Sequence, residues 1–333
     1  MLPQIRQAPW YPGQMGVSGS DVQRGLRWAP QGIVLYVDDE HNNATADADG
    51  TDPENPLTTI ALAIARLTAF ATSMATSLEG SVIVVANEAT IAESVIIPLT
   101  APKNCTILGA SQGGIQAPTW TAAIAAGTAL TIQQEGWTVE NIKFVAGAAG
   151  TSVQLFCTAL GVGAHRTVIR NCYFDGAWAG LYGINLVGAP YDIRVLNCEF
   201  REYRRNDTTA HAIITTAAPW ANAYMCVVAG NLFWENENHV GSVGDALGFN
   251  LSVFQNNVFH EGLLIAATRK LDLRGGTRGK NIVTGNLFCG DYSNTGGYWA
   301  HAVAPGSWVG NFAEDVGEGE VGDNGLTTLP PAA

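Results

Sequence analysis

Six stretches of the chain share one pattern, and they decide the fold: TVENIKF (138–144), VIRNCYF (168–174), RVLNCEF (194–200), VVAGNLF (227–233), VFQNNVF (253–259) and IVTGNLF (282–288). Each ends on a phenylalanine, and three residues earlier stands Asn141, Asn171, Asn197, Gly230, Asn256 or Gly285. A worn seventh copy, SWVGNF, ends at Phe312, and the six intact phenylalanines are 30, 26, 33, 26 and 29 residues apart. Asn and Gly are the residues that reach positive φ at least cost, so each copy reads as a sharp corner between two short strands. A coil built this way cannot bury its own apolar face, whereas stacked coils can. The stretch is therefore expected to form a solenoid, with equivalent residues in ladders about 4.8 Å apart. A β-sandwich of similar hairpins is the alternative, but hairpins have no reason to reuse one corner at this interval.

Outward from the repeats the texture is consistent. From residue 81 on, short β-rich runs (SVIVVA, SVIIPL, NCTILGA, ALTIQQ) are separated by Gly, Asn or Pro with no helix between them, which excludes alternating βαβ units. Upstream, IVLYVD (33–38) reads as a strand, followed by the acidic loop DEHNNATADADGTDPENP. Residues 57–78 then carry Ile60, Ala61, Ile64, Leu67, Ala71 and Met74 at helical spacing, with Thr58 or Thr59 as cap and Gly80 as stop.

The chain of 333 residues carries a net charge of -12, so a phosphate backbone would be repelled and nucleic acid is not an expected partner. No uninterrupted apolar run of about 18 residues marks a membrane span. The first residues show no basic start followed by an apolar run, so no signal peptide is expected. The six cysteines (105, 157, 172, 198, 226, 289) form no C-x-x-C or zinc-type spacing. Cys172 and Cys198 each follow an Asn in equivalent segments, which marks repeat positions rather than a redox pair. All six are expected to be buried or semi-buried thiols acting as small hydrophobes, with disulfides as the alternative outside a cell.

The repeats resemble the right-handed parallel β-helix of the pectin-lyase-like superfamily. The stretch YVDDEHNNATADADGTDPENPLTTIALAIARL (36–67) resembles the strand, D-G-T-x-P-E-x-P-type loop and capping helix that close that superfamily's first coil. The resemblance spans about 33–312 and implies an all-β solenoid with a capping helix. It implies no single activity, because this fold carries lyases, hydrolases, epimerases and scaffolds. The chain is also similar to bacteriophage tailspikes and related virion surface proteins. That similarity implies a homotrimer, made in the host cytoplasm and carried on the virion surface, with capsid or tail proteins as partners and host surface polysaccharide as a ligand. On this reading residues 1–31 are an extended, Pro-broken attachment arm with Trp10, Tyr11 and Trp28 as partner contacts. Residues 32–80 are the first strand, loop and capping helix, 81–312 the β-helix, and 313–333 an acidic Gly/Pro-rich tail along the surface or beyond the last coil. The alternative on the same fold is a polysaccharide lyase or glycoside hydrolase.

The corner alignment also marks candidate chemistry. Two residues after three consecutive phenylalanines stand Glu202, Glu235 and Glu261, and one residue after them Arg201, Trp234 and His260. In register, the glutamates form a ladder whose carboxylates lie at spacings that suit glycoside hydrolysis, and mutual repulsion raises one pKa, as a general acid requires. Asp175, Tyr203 and Asp207 are close in register, and Trp234, His260, Arg201 and Asp175 are the candidate substrate contacts. The ladder has three readings: a catalytic edge, passive glycan or partner contact, and a solvated edge neutralised by Arg201, Arg204 and Arg205. His211, His239 and His301 read as surface or packing residues. Asp47, Asp49, Asp52 and Glu54 crowd a Gly-bearing loop that offers calcium oxygen ligands at alternating positions. The loop lacks the EF-hand glutamate, and an Asx-rich turn accounts for it without a metal. Trp120, Trp137, Trp178, Trp220, Trp299 and Trp308 suit sugar stacking, a subunit interface or the core. The basic run LDLRGGTRGKN (271–281) is expected to project as a loop.

Overall fold

The computed structural model describes residues 32–74, 77–87, 89–111, 114–159, 162–203, 209–216, 222–242, 248–260, 269–273, 281–289, 299–300, 307–313, 319–321 and 327–328. The architecture is the expected parallel β-helix. Three long sheets run side by side, and each coil contributes one short strand to each sheet in turn. The first sheet begins at Val34–Val37 and proceeds through Val82–Val85, Thr106–Gly109 and the strand opening each repeat, to Ser307–Val309. The second sheet contains the repeat phenylalanines, from Thr90–Ala92 to Phe312–Ala313, and the third runs from Val95–Ile97 to Trp299–Ala300.

The corner residues behave as their chemistry requires. Asn141, Asn171, Asn197 and Asn256 hold φ of 56°, 53°, 53° and 53°, and Gly230, Gly285 and Gly310 hold 68°, 66° and 65°. The choice between Asn and Gly has a local cause in two coils. The Asn197 carboxamide oxygen stands 2.5 Å from where a Cβ on Gly230 would sit, and that of Asn256 stands 2.4 Å from the same point on Gly285. An asparagine in one coil thus claims the space that a side chain in the next would need.

Inside the second sheet, Trp120, Phe144, Phe174, Phe200, Phe233, Phe259 and Phe288 pair in unbroken register. Their rings stack at centroid distances of 5.4, 5.2, 4.5, 5.1, 4.9 and 4.9 Å. Each ring is almost wholly buried, so hydrophobic transfer and ring stacking act on the same atoms. The seventh copy departs from the ladder: Ala313, not Phe312, pairs with Phe288, and Phe312 pairs with Leu287 and is 57% exposed. SWVGNF has one residue fewer after its corner glycine, so its aromatic falls one position short and faces outward.

A second interior ladder was not read from the sequence. Asn231, Asn257, Asn286 and Asn311 follow the corner in successive coils, all buried. The Asn257 side-chain oxygen accepts the backbone N–H and the amide N–H of Asn231, both at 3.0 Å. The Asn286 oxygen takes the same pair from Asn257 (2.9 and 2.9 Å), and the Asn311 oxygen takes it from Asn286 (3.0 and 2.8 Å). The remaining amide protons reach backbone carbonyls of the first sheet, as Asn257 Nδ2 does to Val228 at 2.9 Å. One coil earlier the same position holds Cys198, and before that Cys172 and Ile142, so the two cysteines are repeat equivalents as expected. All six thiols are free, five of them buried. Burial pushes Cys157 up to about 11 and Cys105 and Cys226 up to about 12, which makes them poor nucleophiles.

The helix spans Ile60–Met74, inside the expected 57–78, and lays Ile60, Ala63, Ile64 and Leu67 over the first strands of the first and third sheets. Thr59 caps it through Oγ1, which accepts the Leu62 N–H at 3.1 Å. A distant residue completes the cap: the Glu93 carboxylate accepts the N–H groups of Ile60 and Ala61 at 2.7 and 3.1 Å. At the other end, Gly319–Val321 and Thr327–Thr328 pair antiparallel onto the second sheet, so part of the acidic tail lengthens that sheet. No helix among the described residues is long and apolar enough to cross a membrane.

Candidate functional site

Strand alternation turns the residues on either side of each ladder phenylalanine outward. On the outer face of the second sheet, the row after the phenylalanines reads Asp175, Arg201, Trp234, His260 in consecutive coils. The four expected contact residues therefore form one line along the solenoid. The Trp234 and His260 rings stack at 3.8 Å with only 4° between their planes. The Arg201 guanidinium lies 5.6 Å from the Trp234 ring centre, and the three groups make a flat, half-buried strip.

The row before the phenylalanines supplies Lys143, Tyr173 and Glu199, which sequence reasoning missed. Arg201 also lies 5.8 Å from the Tyr173 ring centre and is ion-paired with Glu199, while Lys143 approaches the same Tyr173 ring at 5.6 Å. The signal was present, since period-two alternation places both neighbours of each phenylalanine on the outer face, where Tyr173 is itself buried beneath Arg201 and Lys143. Asp175 accepts the Ala177 N–H at 2.8 Å, which fixes the turn leaving its strand.

Glu202 and Glu235 are the corner residues themselves, not residues beyond the corner. They hold φ of 60° and 51° where the second sheet turns toward the third, in adjacent coils. The Glu202 N–H donates to the Trp234 carbonyl (3.1 Å) and the Glu235 N–H to the His260 carbonyl (3.2 Å), which ties each glutamate to the aromatic pair. Burial, then the nearby charges of Asp175 and Glu235, raise the Glu202 pKa from its ordinary value, against the pull of Arg201. A carboxyl that holds its proton longer meets one requirement of a general acid. Glu261, Arg204, Arg205 and Asp207 lie outside the described residues, as do Trp10, Tyr11, Trp28, Trp220 and His301.

The other candidates separate. Tyr203 is buried and hydrogen-bonded to Ser152 at 2.7 Å, so it belongs to the core. Trp120 and Trp137 are interior, whereas Trp178 is exposed at a turn. His239 is buried with its ring 5.7 Å from those of Phe233 and Phe259, and the His211 ring bonds the Thr209 carbonyl at 2.8 Å. In the acidic loop, Asp49 accepts the N–H and hydroxyl of Thr51, and Asp52 accepts the Glu54 N–H and the Asn55 amide. These are Asx turns. No three His, Cys, Asp or Glu residues converge as metal donors among the described residues.

No family model and no curated protein matches the sequence. Among solved structures, the chain is similar to an alginate lyase from Paenibacillus sp. str. FPU-7, with 15% identity and a TM-score of 0.47 over 76% of this chain and 94% of that one. At that overlap, the assignment of a parallel β-helix rests on the strand register described above.

Proposed function

We propose that this chain is a polysaccharide-binding surface protein and that the outer face of its second sheet receives the sugar. The observation that carries the reading is the coplanar Trp234–His260 pair continued by Arg201. A flat aromatic surface accepts the apolar C–H face of a pyranose ring. Asp175, Glu199, Glu202 and Glu235 stand around it as acceptors for ring hydroxyls, and Arg201 and Lys143 as donors. Titration against a panel of bacterial polysaccharides tests this. Trp234→Ala is expected to weaken binding about tenfold, consistent with loss of one aromatic contact. Unchanged affinity in a folded Trp234→Ala protein removes the assignment.

The raised Glu202 pKa and the neighbouring corner position of Glu235 favour a second reading, in which the same face cleaves the glycan with Glu202 as acid and Glu235 as the second carboxyl group. Glu202→Gln would then abolish release of new chain ends while retaining binding; a wild-type protein that releases none leaves binding alone. The carrier we propose is a bacteriophage particle, supported by the aromatic, proline-broken residues 1–31. Deleting them should abolish particle attachment and spare polysaccharide binding, and retained attachment would reject this part of the reading.

A further inference from the structure

The Trp234–His260 strip is flanked by more negative charge than its own surroundings neutralise. The outward rows of the second sheet place Asp175, Glu199 and Arg201 in line with it, and the corner beyond them adds Glu202 and Glu235. The arginine and lysine of this face are both engaged. Arg201 pairs with Glu199 and lies over the Tyr173 and Trp234 rings, and Lys143 lies over Tyr173. Among the described residues, Asp175, Glu202 and Glu235 have no ion-pair partner.

These carboxylates act on one another and on what lies between them. Asp175 and Glu235 both favour the protonated form of Glu202. Burial raises the Tyr173 pKa, Arg201 opposes the rise, and Asp175, Glu199 and Glu202 add to it. The aromatic strip is itself attractive to a cation, because the faces of its rings carry negative charge density, and the Arg201 guanidinium 5.6 Å from the Trp234 ring centre shows that one is accepted there. Unpaired carboxylates set around such a strip repel each other, and a bound cation relieves that repulsion.

We propose that the glycan received by this face carries ammonium groups, as an unacetylated amino sugar does, and that uronate-rich chains are turned away. The proposal rests on the glycan reading above and adds to it the charge of the ligand. With a sugar ring laid on the strip, its ammonium group donates N–H bonds to Asp175, Glu202 and Glu235. Ionised carboxylates only accept, so a ligand carboxylate finds no donor among them and meets like charge. The net charge of -12 acts in the same direction at longer range and draws a polycation toward the protein.

The test compares two oligomers of one backbone, glucosamine and N-acetylglucosamine, with a galacturonate oligomer, by titration calorimetry at a pH where the amino groups are charged. The glucosamine oligomer should bind about tenfold more tightly than its acetylated form, the combined effect of a few exposed charge pairs, and galacturonate should bind most weakly. The margin should shrink severalfold in about 1 M salt. An Asp175→Asn/Glu235→Gln double variant with an unchanged circular dichroism spectrum should lose several times more affinity for the glucosamine oligomer than for the acetylated one. Trp234→Ala should weaken both alike. An acetylated oligomer that binds as tightly as the free amine, or a margin that survives the double variant, overturns the charge assignment, while the glycan reading stands on the Trp234 dependence. If neither oligomer binds, the ammonium assignment falls as well, and the polysaccharide panel decides the glycan reading separately.

Discussion

The coils before residue 200 and those after it solve the same stacking problem with polar groups in different places. In the earlier coils the polar links are on the outside. Glu140 bonds Arg170 at 2.6 Å and the Asn171 amide at 3.2 Å, and Glu135 holds Lys103 and Arg166 at 2.9 and 2.8 Å. Their interior position after the corner is apolar: Ile142, Cys172, Cys198. In the later coils the same position carries the asparagine ladder, and the outward rows of the first sheet carry Val227, Val253 and Ile282 on one side and Ala229, Gln255 and Thr284 on the other, all uncharged. The polar connection between coils has moved from a wet surface, where water and salt weaken it, to a dry interior where each bond is stronger and each missing partner costlier. The outer face of the first sheet is thereby relieved of charge in the later coils.

The largest expected effect tests what the two halves share. Phe174→Ala and Phe259→Ala should each cost about 3–5 kcal/mol, because each removes a wholly buried ring from between two others. Chemical denaturation of both variants checks this, and clearly unequal losses would show that the aromatic ladder is not one continuous element. The next largest separates the halves. Asn257→Leu strands the bonding groups of Asn231 and Asn286 and should cost about 2–4 kcal/mol, a loss that 1 M salt leaves unchanged. A strongly salt-dependent loss would place the ladder in contact with solvent. The smallest concerns the candidate site. The folded-state pKa of Glu202 is raised, so its protonation contributes stability that is present below the unfolded value and lost as pH rises through the folded one. Glu202→Gln should therefore melt slightly above the wild type at neutral pH, and the gap should close as the medium is acidified toward about pH 4. A gap that widens on acidification contradicts the sign.

Much of the fold was legible because its signals are local. An asparagine or glycine three residues before a phenylalanine reports the corner φ and the inward ring from within one heptapeptide, and Thr59 marks the start of the helix in the same way. The site was legible in part. Asp175, Arg201, Trp234 and His260 could be aligned by counting from the phenylalanine, as could Glu202 and Glu235. Tyr173, Glu199 and Lys143 could have been counted in the same way, but that the two glutamates form the corner and that Glu93 reaches across to cap the helix could not, because each depends on contacts beyond its own strand.

By itself the sequence determined that the chain coils, where it bends at the first corner and which ring points inward. These follow from the steric cost of positive φ and from burial of every second side chain, both set within a few residues. Only the tertiary structure decided which side chains of different coils touch: the Trp234–His260 stack and the asparagine ladder. Such contacts depend on register between coils of unequal length, and register is set by all the loops and corners of a coil acting together.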